Sequence, residues 1–185
     1  MITTVLSAAD RVATPWKNGG GVTREIAASP PGADLGDFDW RISMAEVRDP
    51  GAFSPFPEVD RCLTVLRGTL TLTFGETVVF LDGSSSPFEF PGDQPCQGTP
   101  VAGPVLDLNV MCRRGQWRSR VERMEDATWR PSGQTAFLLA LEPAVVGART
   151  LSRFDALLFD DLSPEAPPLD VVGSFIAVSF EPMVA

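Results

Sequence analysis

The chain has 185 residues, 44% of them apolar, and a formal charge of −9. That length suits one large domain or two small β-domains; the apolar runs fall short of the roughly 20 residues that cross a bilayer, and an acidic surface repels phosphate backbones and anionic lipid. Histidine and tyrosine are absent, which excludes Ser-His-Asp and Cys-His nucleophile systems and any metal site that needs imidazole.

In chain order, "MITTVLSAADRVATPW" has no basic head followed by a continuous apolar stretch, so no secretory signal is predicted. The cysteines Cys62, Cys96 and Cys112 form no CxxC pair and read as reduced thiols of a cytoplasmic protein. "TPWKNGGGVTREIA" (Thr14 to Ala27) holds the single lysine, Lys17, followed by Asn18, Gly19, Gly20 and Gly21. It lacks the spacing of a Walker phosphate loop, and "VTREIAASPP" is β-like rather than a helix following GxGxxG. Two readings stay open: a glycine turn or bulge with an exposed lysine, or a close approach of backbone, Lys17 and Asn18 to a ligand. Thr23 and Glu25 share one face of the next strand.

"FDWRISMAEV" (Phe38 to Val47) alternates, with Trp40, Ile42 and Met44 on one face and Arg41, Ser43 and Ala45 on the other. The Arg41–Ser43 row is either a solvated face or, inside a barrel, a pocket lining. "GAFSPFPEVDR" sets Phe53 and Phe56 on a proline-containing loop, as a lid or as end packing. Asp60 and Arg61 are adjacent and so point to opposite faces of a strand. "RCLTVLRG" and "TLTLTFG" read as two strands joined at Arg67–Gly68, "ETVVFLDG" as another, and "PFEFPGDQP" as a short edge strand ended by proline. "VLDLNVMC" (Val105 to Cys112) carries Asp107, Asn109 and Met111 as a second polar row, suited to a substrate amide or ammonium, or else tied to neighbouring loops.

The second half has the same character. "QWRSRVERM" alternates, whereas "TAFLLALEP", "DALLFDDL" and "GSFIAVSFEP" are more continuously apolar, as strands buried on both faces would be. Helix competes in "DALLFDDL" and around "VERMEDATW". With 17 prolines and 16 glycines punctuating short strands, the chain reads as all-β, a sandwich or barrel with little helix. A change of charge pattern near Arg113–Arg114–Gly115 divides it into 1–112 and 113–185, two units expected to pack as one and free to exchange strands.

The blocks "PWKNGGGVTREI", "FDWRISMAEV", "GAFSPFPEVDRCLTVLRG" and "LDLNVM" together resemble the HutD/Ves family, over roughly Thr14 to Cys112. The resemblance implies a cupin-like (RmlC-like) bicupin of two antiparallel β-barrels and a part in histidine utilisation, moderating the pathway by sensing a small intermediate. It puts Trp16, Lys17, Asn18 and the three glycines beside a pocket and matches Arg41, Ser43, Phe53, Asp60, Arg61 and Asn109 to the other motif positions. One departure stands out: the family block reads proline-glycine where this chain has Pro57-Glu58.

The expectation is therefore a metal-free, cofactor-free binder of a small organic acid, urocanate or formimino- or formyl-glutamate. Lys17 with Arg41 or Arg61 would hold the carboxylate, Asn18 and Asn109 would read a nitrogen group, and Trp16 and Phe53 would wall the pocket. The alternatives are a metal-independent isomerase, epimerase or hydrolase with Glu25, Asp60 or Asp107 as base, and a protein-interaction module. Nucleic acid and membrane are not expected partners; a homodimer through paired β-edges is open.

Overall fold

The computed structural model describes residues 1–183, whose regular structure is strand apart from one 3-10 turn at Ala8–Asp10. The strands are β1 (Ile2–Leu6), β2 (Ala13–Pro15), β3 (Gly21–Ser29), β4 (Trp40–Val47), β5 (Gly51–Ala52), β6 (Val59–Phe74), β7 (Thr77–Asp82), β8 (Phe88–Pro91), β9 (Gln97–Arg113), β10 (Trp117–Trp129), β11 (Thr135–Ala140), β12 (Ala144–Val146), β13 (Arg149–Leu151), β14 (Ala156–Asp160) and β15 (Leu169–Pro182). Among these residues no helix is long and apolar enough to cross a membrane.

Two compact units result: Val12–Arg114, and Met1–Arg11 together with the chain from Gly115 onward. The division differs from the sequence-based one in its first eleven residues and in Arg113 and Arg114, which fall with the Val12–Arg114 unit. β1 pairs antiparallel with β14, from Ile2 opposite Asp160 to Leu6 opposite Ala156. Ala8 N donates to Asp155 Oδ1 at 2.8 Å, and Arg11 Nη2 donates to the Phe154 carbonyl at 2.5 Å. Pairing across that much sequence leaves no local signal.

In the Val12–Arg114 unit the antiparallel order is β2-β3-β4-β9-β6-β7, with β5 added to β9 and β8 to β6. The long strands β6 and β9 run side by side for most of their length, and each also pairs with shorter strands along its other edge. One end of the interior is apolar: Val47, Leu63, Val65, Leu70, Leu72, Phe74, Leu81, Phe90, Cys96 and Val105 form a buried cluster. Each fully buried Leu or Phe contributes about 1.5–3 kcal/mol relative to exposure.

Arg67–Gly68 does not end a strand. β6 continues through it as a double irregularity, with Arg67 opposite Leu106 and Thr69 opposite Val101. Gly68 at φ 86°, facing Ala102 at φ 56° and Gly103 at φ 131°, bends both strands without breaking their pairing. A Cβ at Gly68 would sit 2.9 Å from the Pro104 carbonyl oxygen, so the bend needs the missing side chain.

The other unit has the order β1-β14-β11-β15-β12-β13, with β10 added to β15. Its core gathers Trp129, Leu138, Leu157, Phe159, Val171 and Phe175. β11 is buried along its whole length, as its continuous apolar run predicts. The two segments where helix competed are strands. "DALLFDDL" forms β14, hydrogen-bonded on both sides by β1 and β11, and "VERMEDATW" lies in β10 against β15. Ladder pairing, on both edges of β14 and on one edge of β10, outweighs local helix preference there. A bulge at Asp126 (φ 31°) interrupts β10, and the Asp126 carboxylate accepts from Gly173 N at 2.7 Å.

Candidate functional site

The site of interest follows from the register of three strands in the Val12–Arg114 unit. β9 lies between β4 and β6, and residues directly opposite one another share a face. Arg41 and Arg61 both lie opposite Met111, Ser43 and Leu63 opposite Asn109, and Ala45 and Val65 opposite Asp107. The two polar rows legible in sequence are thus neighbours on one surface. That surface is buried: Arg41 is 8% exposed, Ser43 2%, Arg61 6%, Asp107 1% and Asn109 8%. Such burial rules out the solvated-face reading of the Arg41–Ser43 row.

Arg61 is enclosed by aromatic rings. Its Cζ lies 5.4 Å from the Phe53 centroid, 5.4 Å from that of Phe56 and 5.0 Å from that of Phe90. Nε donates to Asn109 Oδ1 and Nη1 to the Ser54 carbonyl, each at a long 3.4 Å. The planar cation gains quadrupole attraction from the rings without losing its outward donors. Among the described residues Nη2 makes no hydrogen bond, and no carboxylate lies within ion-pair range of this guanidinium. Burial lowers the Arg61 pKa to about 10, opposed by attraction to Asp107 and assisted by repulsion from Arg41; the group stays charged at neutral pH.

Arg41 is held differently. Its Nε donates to Glu25 Oε2 at 2.8 Å and its Nη1 to Ser43 Oγ at 3.2 Å. Glu25, opposite Ser43 in the β3–β4 pairing, is the more exposed partner.

Asp107 stands apart. Both carboxylate oxygens are buried and accept no hydrogen bond. Burial pushes its pKa up to about 7, with Arg61 pulling the other way. The thiols offer no better nucleophile: burial raises Cys62 to about 12 and Cys96 to about 11.

The glycine-rich segment adjoins this site through an aromatic relay. Trp16 is half-buried, donates from Nε1 to Thr23 Oγ1 at 2.7 Å, and meets Phe53 edge-on at 6.2 Å between centroids. Gly21 lets the Trp16 ring close on the backbone, since a Cβ there would lie 2.6 Å from the Glu46 carbonyl and 2.9 Å from the indole. Asn18 turns inward on its own loop, its Oδ1 accepting from Gly20 N at 3.0 Å, while Gly19 takes φ 74°. Gly20 is buried, and its carbonyl accepts from the amides of Arg48 and Asp49. Lys17 is exposed.

Asp60 lies on the far side of β6 from Arg61, exposed, where Arg114 bridges it at 2.7 Å and Asp93 at 3.0 Å. It is therefore set apart from the residues that line the interior.

The HutD family model matches residues 8–172 of the chain. The chain belongs to the HutD family. It is 31% identical over 189 residues to an uncharacterised 21.2 kDa protein in the hutC 3′ region of Pseudomonas putida, covering 94% of this chain and 95% of that one. It is 38% identical over 128 residues to protein Ves of Citrobacter koseri, a match that spans 64% of this chain and 61% of Ves. The solved structure of HutD from Pseudomonas fluorescens, in a formate condition, superposes with a TM-score of 0.90 at 28% identity, covering 99% and 100% of the two chains. Bacterial pirin YhhW of Escherichia coli shares the fold alone, at 10% identity with a TM-score of 0.65 over 99% and 100% of the chains. The architecture is cupin-like and all-β.

The departure from the HutD/Ves block at Glu58 has a backbone consequence. Glu58 adopts φ 57°, the left-handed region that glycine enters without steric cost. Replacing Glu58 by glycine is expected to stabilise the protein by about 0.5–1 kcal/mol, the relief of left-handed strain less the extra chain entropy; urea unfolding of the two proteins measures it. Among the interior residues, Phe56 and Asp107 lie outside the family motif positions but are legible as a loop aromatic and as part of the second polar row, whereas sequence reading gave Phe90 no part in the site. Phe90 lies in the short edge strand "PFEFPGDQP", where nothing sets it apart from Phe88, and Asp107 alternates with Asn109, which is its cue.

Proposed function

We propose that the Val12–Arg114 barrel binds a small organic acid and that binding serves histidine utilisation. The observation carrying this reading is Arg61: a buried cation caged by three rings, with Nη2 unused and no carboxylate partner. A planar guanidinium in that state receives a carboxylate through paired, charge-assisted hydrogen bonds. Arg41 adds a second positive group in the same register row, and Ser43 and Asn109 supply polar contacts beyond it. Phe53 and Trp16 wall the site. The hutC-region name of the Pseudomonas putida relative supports the link to histidine breakdown, and urocanate or formimino- or formyl-glutamate are the candidate acids.

The test is thermal unfolding with each acid at millimolar concentration. A ligand that binds only the native state, present at about a hundred times its Kd, adds about 2.7 kcal/mol, or roughly 5–10 °C in Tm for a chain of this size. Absence of any shift with all of these acids would remove the assignment of ligand.

A further inference from the structure

We infer that the bound acid also carries a nitrogen cation or N–H donor that meets Asp107, so that the ligand is dipolar rather than a simple or double carboxylate. This rests on the carboxylate reading of Arg61 and adds a second, separate point of recognition.

Asp107 is a buried carboxylate with both oxygens unsatisfied. An ionised carboxylate has room for about four donors, and leaving it bare inside a protein is costly. The chain offers none: the residues opposite it on the flanking strands are Ala45 and Val65, both buried and apolar. Arg61 is the cation that acts on Asp107 electrostatically, yet the two form no ion pair. The reason lies in Arg61's surroundings. Arg61 is paired at the Met111 level, and its side chain reaches to Asn109, where three rings, Asn109 Oδ1 and the Ser54 carbonyl hold the guanidinium short of Asp107. Asp107 is four positions along β9 from Met111, roughly 13 Å between Cα atoms at strand spacing, a distance the arginine side chain only partly covers. Ser43 and Asn109 occupy the level between them.

One interior face thus presents a fixed positive group and, further along β9, a carboxylate that becomes negative as it ionises. Arg41 is balanced by Glu25, so the unbalanced pair is Arg61 and Asp107. A dianion would set its second carboxylate against Asp107. A molecule with a carboxylate at one end and an ammonium, amidinium or imidazolium at the other satisfies both.

The inference has a pH signature. On Asp107's own face of the sheet the charged groups of the neighbouring strands are Glu25 on β3, Arg41 on β4 and Arg61 on β6, with the Cys96 thiol before β9 acting on Arg61; Arg24, Glu46, Asp60 and Cys62 alternate onto the other face, and Arg67 is exposed beyond the bend. Arg61 and Cys96 titrate near 10 and 11, whereas Asp107 titrates near 7. Affinity for a nitrogen-bearing acid rises as Asp107 ionises with increasing pH; affinity for a plain carboxylate falls over the same interval.

The experiment is calorimetric titration of the full chain with ω-amino acids of increasing length and with imidazole-4-acetate. Each is paired with the acid of the same shape lacking the nitrogen, phenylacetate in the last case. At about pH 8 at least one nitrogen-bearing probe is expected to bind about tenfold or more tightly than its match. In Asp107→Asn the preference should fall to within about twofold, and in the unaltered protein it should collapse below about pH 6. If plain acids bind but no preference exists, or if it survives both Asp107→Asn and low pH, the inference is overturned while the carboxylate reading stands. If no acid of either kind binds, both fall together. Should Asp107→Asn fail to fold, the pH arm on the unaltered protein decides alone.

Discussion

Arg61→Met is expected to lower the affinity of the barrel for any organic acid by at least about a hundredfold, the usual scale for deleting one partner of a desolvated charge pair. The fold should survive. Methionine is unbranched and adaptable, and it fills the space between Phe53, Phe56 and Phe90 with an apolar group that makes favourable sulfur–aromatic contacts. The lost hydrogen bonds, to Asn109 Oδ1 and the Ser54 carbonyl, are long ones at 3.4 Å and contribute little. Arg61→Lys separates charge from shape. It keeps a cation but loses the planar fork and the stacking, and about a tenfold loss is expected. Titration calorimetry on the three proteins, with Tm as the check on folding, gives the answer. Unaltered affinity in Arg61→Met would show that the carboxylate sits elsewhere and would end the case for this site.

How much of this was legible in the sequence depends on which step is considered. Alternation in Phe38 to Val47 and Val105 to Cys112 is local, so the strands β4 and β9 and the composition of their polar rows follow from period alone. That the rows are neighbours does not. Arg41 and Arg61 flank Met111 because three distant strands pair in one register, and register depends on which faces are buried, which no short window contains. The same holds for Phe90, opposite Arg61 through β8, and for the first eleven residues, whose strand closes a sheet built by the far end of the chain. Asp60 shows the local rule working: its neighbour Arg61 faces the interior, and Asp60 faces out toward Arg114. Gly68 shows it failing, because a glycine that ends a strand and one that bends it look alike until the partner strand is known.

The stability of Asp107→Asn relative to the unaltered protein is expected to rise steadily with pH, by about 3 kcal/mol between pH 5 and pH 8. The ordinary carboxyl pKa is 3.8, and burial raises that of Asp107 to about 7 in the folded chain. The folded state therefore holds its proton more tightly than the unfolded one. The stability this confers is fully present below 3.8 and is lost as pH rises to about 7, at about 1.4 kcal/mol per pH unit. An asparagine has no proton to lose, so the variant escapes that loss. Its buried amide has a cost of its own, but one that does not change with pH; the slope of the difference, not its value at one pH, isolates Asp107. Paired urea titrations at several pH values measure it, and a flat difference from pH 5 to pH 8 would mean that Asp107 is not held protonated by its surroundings. A saturating nitrogen-bearing acid should abolish the slope. A cation against Asp107 stabilises the ionised form and returns its pKa toward the ordinary range, whereas a plain carboxylate at Arg61 should leave the slope in place or steepen it.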